Sequence, residues 1–351
     1  MANLSATYLL PLIEMYSGTL DKNEYRFSRY GALETFKKDT ASAQSIWTAD
    51  TKNLIKNSWG NTVKVPVINY EDVSLSTTRS CAVVQDENTS ALVELVFGTI
   101  SWGFSMVPHQ YGTNYIKYDQ DKAVKQDKFI LKVLAELDTL AYNNANTARN
   151  QVWSTLPSIY TQTGNSIQVP PSLQNDFYNY STAIFESMDF YSDRLNVIAS
   201  TYHRPEVARL MAQGAGNSIN EAFQFNGFDW AVSNRVPVAS GKQSTIMMSV
   251  PGTYAFETRL DAVSNQGFRT TDGTEWGKEV LPGLGFEVGV KYSSTCTDQS
   301  GLQGATTAHM TAVPQEYFTY SFDYCFQVAY NSAPTTRPTP IIKAEFLTAE
   351  L

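Results

Sequence analysis

The sequence predicts an α+β protein with a mixed sheet, on three observations. Two extended runs with alternating apolar residues flank a polar tip between Thr62 and Pro108. One long amphipathic helical pattern follows from about Asp119 to Asn150, and short strands and helices interleave beyond it. At 351 residues the chain is long enough for about two domains.

Composition narrows the function. Hydrophobic residues make up 42% of the chain, which excludes a disordered polymer, while charged residues at 17% fall below the roughly 25% of an ordinary soluble domain. Aromatic residues at 13% fit a chain that devotes surface to neighbours, because Tyr and Phe are favoured where one protein surface covers another. With 26 Lys and Arg against 34 Asp and Glu the formal charge is −8, and no basic block occurs, which argues against nucleic-acid binding as the main task. Cys81, Cys296 and Cys325 form no CxxC pair and leave an odd count. Neither a disulfide framework nor a zinc site is indicated, and a reducing compartment is expected. No cation precedes Lys22 and Pro11 interrupts the apolar run Tyr8 to Ile13, unlike a signal peptide. No stretch approaches the roughly 18 uninterrupted apolar residues of a membrane-spanning helix.

Taken in order, residues 1–60 join an apolar patch, Tyr8 to Met15, to polar sequence with scattered aromatics, and read as an extended arm with short helical pieces. From Thr62, Val63, Val65 and Val67 alternate with polar or Pro positions as in a half-buried strand. After the turn-prone segment Gln85 to Ser90, the run Ala91 to Pro108 places Leu92, Val96, Ile100 and Phe104 on one face. Val93, Leu95 and Phe97 fall on the other. The two runs predict a long β-ribbon, which is not stable alone and needs a surface to lie on.

In the helical pattern, Ala123, Val124, Ile130, Leu131, Leu134, Leu137 and Ala141 fall near one face, while Lys122, Lys125, Lys128, Lys132 and Asp138 mark the rest. Asp119 or Asp121 is placed to cap its start. About 30 residues at 1.5 Å each give a spine of roughly 45 Å. Pro157, Gly164, Pro170 and Pro171 then mark turns, and a second helix is expected from about Leu173 to Leu195, with Phe177, Ile184, Met188, Tyr191 and Leu195 on one face. The strand Asn196 to Ser200 leads to Arg204-Pro205-Glu206 and a short helix, Glu206 to Gln213, that Gly214 and Gly216 can end. Short strands are expected within 223–237 and 244–260, one more at Gly285 to Tyr292 in an otherwise loop-like stretch, and a last one at the end of 333–347. From Glu316, period 2 puts Phe318, Tyr320, Phe322, Tyr324 and Phe326 on one strand face. That is the pattern of a sheet packed on the spine, preferred to a stacking platform for sugars or bases.

Chemistry-bearing motifs are few. His109, His203 and His309 share no spacing, and HExxH, GxSxG and the Walker pattern are all missing. Gly214-Ala215-Gly216 and Gly283-Leu284-Gly285 do not complete GxGxxG and read as helix ends or turns. His203 beside Arg204 suits either an anion near a helix start or a plain strand-to-helix corner, and the corner is the better reading. Asp119-Gln120-Asp121 with Asp127 lacks the Gly that bends a calcium loop and reads as a solvated helix start. The glycosylation-type triplets at Asn3, Asn88 and Asn179 are put down to chance. No catalytic, cofactor or metal residue is assigned, and no cofactor or enzymatic activity is expected.

Two segments carry a resemblance. In 196–237 a strand, the Pro-bearing helix RPEVARLM, a Gly-containing loop and NGFDWAVSNRVP succeed one another; near the end, Arg337-Pro338 precedes the apolar strand through Phe346. Together with the order of arm, ribbon, spine and interleaved α+β segment, this resembles the major capsid proteins of tailed double-stranded DNA phages, the Hong Kong ninety-seven or Johnson fold. The resemblance implies an N-terminal arm at 1–60, an E-loop hairpin at 61–112, a peripheral (P) domain with the spine at 113–164, an axial (A) domain at 165–304, and a return to the P domain at 305–351. It implies a shell subunit that assembles with itself into pentamers and hexamers in the host cytoplasm, resides in the virion, and encloses DNA without specific binding or membrane contact. A separate scaffolding protein, a portal and a decoration protein are its implied partners. Only about 60 residues precede the hairpin, so no fused scaffold or processed pro-segment is expected, and the positions of the family's Lys–Asn cross-link are not matched. Inter-subunit contact is expected at the ribbon, through Arg79, Gln85, Asp86, Glu87 and Asn88 at its tip and Leu92, Val96 and Ile100 along one face. The alternatives are an encapsulin-type nanocompartment shell and a carbohydrate-binding surface protein, the latter prompted by the Tyr and Trp content.

Overall fold

The computed structural model describes residues 30–60, 62–68, 90–108, 115–149, 160–187, 190, 192, 194–214, 227–281, 283–297, 313–328 and 339–350. Within these the chain is α+β, built on two six-stranded sheets and one two-stranded ribbon.

The first described element departs from the expected arm. Helix α1, Gly31–Ala41, is a helical piece as anticipated, but it lies in the core rather than along the outside. Leu33 and Phe36, three residues apart on one face, are fully buried, and Phe36 stacks on Tyr254 at 4.4 Å and meets Phe326 edge-on at 5.4 Å. Gly31 permits this approach, since a Cβ there would lie 2.7 Å from the Val232 carbonyl oxygen. Helix α2, Ala49–Asn57, follows and is capped by Thr48, whose hydroxyl accepts the Thr51 amide at 3.2 Å.

The ribbon pairs β1, Thr62–Ile68, antiparallel with β2, Ser90–Val96, matching Val63 to Leu95 and Val65 to Val93. The run predicted to continue to Pro108 breaks at Phe97. Beyond it β3, Gly98–Met106, leaves the ribbon and joins the larger sheet.

Helix α3, Tyr115–Ala148, is the predicted spine, 34 residues and about 51 Å long. It begins one turn earlier than expected, so Asp119 and Asp121 lie inside it rather than capping it, and Asp121 pairs with Lys125 at 2.9 Å. Ala123, Ile130, Leu134, Leu137 and Ala141 are buried, while Val124 faces outward and Leu131 is half-buried. Asp138, read as a polar-face residue, is fully buried.

After the short hairpin β4, Thr161–Thr163, and β5, Ser166–Val169, helix α4 runs over Gln174–Glu186 and buries Phe177 and Ile184. It ends well before Leu195, because Leu195–Ser200 forms strand β6, six residues buried on both faces; Met188 and Tyr191 lie outside the described residues. A tight turn carries β6 into α5, Arg204–Gly214, and the chain continues through β7, Phe228–Ser233, β8, Lys242–Ser249, and β9, Tyr254–Arg259. The stretch expected to be mostly loop holds α6, Ala262–Gln266, and strands β10, Phe268–Arg269, β11, Glu275–Val280, and β12, Glu287–Thr297. Strands β13, Val313–Val328, and β14, Ile341–Leu347, close the described chain.

One sheet has the order β10-β11-β12-β13-β3, with β9 also pairing with β13; the other is β4-β5-β14-β8-β6-β7. The second is mixed, as predicted: β14 is parallel to β5 and antiparallel to β8, and β6 is parallel to β7. Segment 165–304 therefore feeds both sheets, and 305–351 gives one strand to each. The aromatic strand behaves as read. Phe318, Tyr320 and Phe322 are buried, Tyr324 and Phe326 pack against the same core, and Gln126 of the spine donates to the Tyr320 hydroxyl at 2.7 Å. A separate apolar core joins α4 to the mixed sheet, and a small third one lies under the ribbon.

Candidate functional site

The ribbon divides its two faces cleanly. Val63, Val65 and Leu95 are buried on Trp47, Ile55, Ala255 and Cys325, while Leu92 and Val96 point away, 65% and 71% exposed. On that outer face Lys64 and Glu94 stand directly opposite each other. Ile100, expected beside Leu92 and Val96, lies past the break in β3, half-buried against the main core. Arg79, Gln85, Asp86, Glu87 and Asn88 fall outside the described residues. Two further apolar side chains, Leu54 and Trp59, are exposed at and just after α2, the helix that covers the ribbon's inner face.

The ribbon root is riveted by one cation that sequence reading missed. Arg259, buried at the end of β9, lays its guanidinium 3.6 Å from the centre of the Phe97 ring. It also donates to Asp323 Oδ2 at 3.1 Å, to Ser58 Oγ at 2.8 Å and to the Ser58 carbonyl at 3.2 Å. Asp323 Oδ1 accepts Thr99 Oγ1 at 2.7 Å, so Phe97 at the break and Thr99 just beyond it are tied to β13 and to the end of α2.

A second polar node holds α1 across the two sheets. Tyr30, at the N-cap position of α1, provides no side-chain cap. Asp138 of the spine does so instead, accepting the Leu33 amide at 2.9 Å and the Ser233 hydroxyl at 2.5 Å. Burial pushes its carboxyl up to about 6 against the opposing pull of these bonds. At the other end Asp39 accepts Asn196 Nδ2 at 2.7 Å and the Tyr254 amide at 3.2 Å, again with its carboxyl raised by burial. Thr40 accepts the Phe256 amide at 2.8 Å, and Lys38 pairs with Asp229. Burial also lifts Glu34, to about 7, with Lys37 opposing and Asp138 adding to the rise. Asp138 carried a legible signal: it lies four residues after Leu134 and three before Ala141, on the apolar face.

His203 occupies the strand-to-helix corner and is buried. Its Nε2 lies 2.6 Å from the Tyr178 hydroxyl and its Nδ1 2.8 Å from Ser244 Oγ, and burial lowers it to about 4 despite Glu206 nearby. With both ring nitrogens engaged, it does not face an outside anion. His109 and His309 are outside the described residues. Among the described residues no group of three or more His, Cys, Asp or Glu is arranged to hold a metal, and no helix is long and apolar enough to cross a membrane.

No family model matches the chain, and no curated protein matches it. Among solved structures it is similar over most of its length to phage chains of low identity. One belongs to the asymmetric unit of the bacteriophage PhiM1 mature capsid, at 10% identity and TM-score 0.47, covering 82% of this chain and 83% of that one. Another is from Mycobacterium phage Adephagia, at 12% identity and TM-score 0.45, covering 83% and 87%. A third is from the capsid structure of the cyanophage P-SCSP1u, at 10% identity and TM-score 0.41, covering 83% and 84%.

Proposed function

We propose that this chain is a major capsid protein, the self-assembling subunit of an icosahedral tailed-phage head that encloses double-stranded DNA. The supporting observation is the ribbon: a two-stranded element anchored at its root, with its inner face used by its own subunit and Leu92 and Val96 presented outward. In this reading the ribbon lies on an adjacent subunit, the spine with the β13 sheet forms the P domain, and the mixed sheet forms the axial domain that meets its copies in pentamers and hexamers. Covering the exposed parts of Leu92 and Val96 contributes about 2–4 kcal/mol per ribbon. Each contact is therefore weak alone, and stability comes from many such contacts in a closed lattice. The net charge of −8 suits a wall that encloses DNA without adhering to it. The role is structural rather than enzymatic, the location is the virion, and assembly takes place in the host cytoplasm with a separate scaffolding protein, portal and decoration protein.

The test is electron microscopy of the purified chain beside size-exclusion chromatography with light scattering. Shells, tubes, or pentamers and hexamers are expected. A strict monomer that stays so on co-expression with candidate scaffolds overturns the proposal. Deleting Val83 to Ser90 leaves a soluble folded subunit unable to close a shell; normal particles from that deletion remove the ribbon from the mechanism.

A further inference from the structure

Two exposed apolar side chains lie at the ribbon root besides those of its outer face: Leu54, 51% exposed, and Trp59, 62% exposed. The packing of α2 under the ribbon is supplied by another residue, Ile55, which is fully buried with Trp47 against Val63, Val65 and Leu95. Trp is on average a well-buried residue, so an exposed one on an ordered element calls for a partner. The root is also rigid. Ser58, next to Trp59, and Phe97, next to Val96, meet the same guanidinium: Arg259 donates to Ser58 Oγ at 2.8 Å and lies 3.6 Å from the Phe97 ring centre. Thr62, three residues after Trp59, pairs across the ribbon with Val96. Trp59 and Val96 are therefore fixed to one base, with Leu54 one helical turn before Ser58. Such a preset surface loses little freedom when it is covered.

Size and charge select the partner. The exposed parts of Leu54, Trp59, Leu92 and Val96 amount to roughly 400–500 Å² of apolar surface, at about 150–250 Å² for a whole large side chain. One side of a standard protein–protein interface buries about 800 Å², a little over half of it apolar, so the two areas agree. The charges around the root carry both signs: Asp50, Lys56, Lys64 and Glu94 are all exposed. A nucleic acid or an anionic membrane needs a positive surface, and neither fits. A second copy fits, because the chain also exposes Ile116, Phe268 and Val280 on other elements as an apolar counter-surface. We infer that Trp59 and Leu54 extend the ribbon's outer contact into a wider interface with a second copy of this chain, with Trp59 as its anchoring side chain. The inference rests on the capsid reading, which gives Leu92 and Val96 to a neighbour and assigns no role to α2.

Hydroxyl-radical footprinting read by mass spectrometry tests this on the purified full-length chain, with dilute monomer compared against assembled particles. Trp59 is expected to oxidise readily in the monomer and to be protected in particles, while Trp47 and Trp102, buried within the subunit, stay protected in both as internal controls. Equal oxidation of Trp59 in the two states overturns the inference. So does protection already present in the monomer, which means that the subunit's own chain covers it. Trp59→Ser gives the second readout. Because the side chain is exposed, the unfolding midpoint should hold. The chain concentration required for assembly should rise about ten-fold or more, as loss of an anchoring Trp implies. Assembly at the parent's concentration overturns the inference, and footprinting of the parent decides the matter even where the variant does not fold. The two readings fail differently. A chain that stays monomeric with every candidate scaffold defeats the capsid reading and this inference together, whereas particles with Trp59 still open to oxidation defeat this inference alone.

Discussion

Replacing Asp138 by alanine removes the carboxylate that caps α1 from another helix, and the structure sets the size of the effect. The Leu33 amide and the Ser233 hydroxyl, held at 2.9 Å and 2.5 Å, are both left facing a buried void. At about 2 kcal/mol for each stranded group the loss is about 4 kcal/mol. Asparagine keeps an acceptor for Leu33 and presents an amide to Ser233, so its bonds are weaker but not lost. It also removes the cost of burying a charge: the rise of the carboxyl from 3.8 to about 6 corresponds to about 3 kcal/mol at neutral pH. Asp138→Asn is therefore expected within about 1 kcal/mol of the parent at pH 7, and Asp138→Ala far below both. The pH dependence has a definite sign. A carboxyl raised in the folded chain holds its proton more tightly there than when unfolded, so this group's contribution to stability falls as pH climbs from about 4 to about 6. Relative to Asp138→Asn, the parent should gain stability on acidification across that window. Urea unfolding followed by circular dichroism reads the energies, and hydrogen exchange over 31–41 reads the location, since loss of the cap should deprotect α1 before the rest. Alanine and asparagine variants of equal stability, or uniform deprotection, would refute the reasoning.

Other expectations follow from the same contacts. Leu92→Asp with Val96→Asp should abolish or retard assembly while shifting subunit stability by no more than about 0.5 kcal/mol, because both side chains are exposed; unchanged particles by electron microscopy would contradict the outward-face assignment. His203, lowered from 6.5 to about 4 by burial, is protonated in the unfolded chain at a higher pH than in the folded one, so its contribution is intact above about 6.5 and drains away toward 4. Between pH 7 and 5 the parent should lose about 2 kcal/mol more than His203→Gln in urea titrations, and parallel losses would remove the histidine from the acid response. Arg259→Lys keeps the charge but gives up the planar stack on Phe97 and the fork to Asp323 and Ser58. A loss of about 2 kcal/mol with faster hydrogen exchange at 95–99 is expected, and unaltered exchange there would show that the ribbon root does not depend on it.

What could be seen beforehand was what depends on local period. The spine and the aromatic face of β13 were legible because apolar residues recur every three or four positions in one and every second position in the other. The ribbon was half legible. Leu92, Val96, Ile100 and Phe104 recur every fourth residue on one face, so their spacing does not mark the residue where the strand changes sheets; that break at Phe97 is held by Arg259 and Asp323, far along the chain. Residues 30–41 read as part of an arm because α1 is short and carries Lys37, Lys38 and Asp39 among its apolar positions. Its partners, Asp138, Asn196 and Tyr254, come from three distant segments, and an isolated sequence does not announce contacts across 100 residues. Leu92 and Val96 share an exposed face, whereas Ile100, grouped with them by period alone, lies in the other sheet.

Strand β13 pairs with β12 and then β9 along one edge and with β3 along the other, and β14 sits between β5 and β8. Both sheets are thus keyed by strands from the last forty or so positions, which join segments separated by up to about two hundred residues. Such long-range closures make folding slow. During synthesis, at about 5–20 residues per second, the ribbon and spine emerge many seconds before the strand that seats them. A ribosome halted before Val313 would therefore release a chain with neither sheet complete. Until strands β13 and β14 have been made, the ribbon and the spine have no finished sheet to pack against.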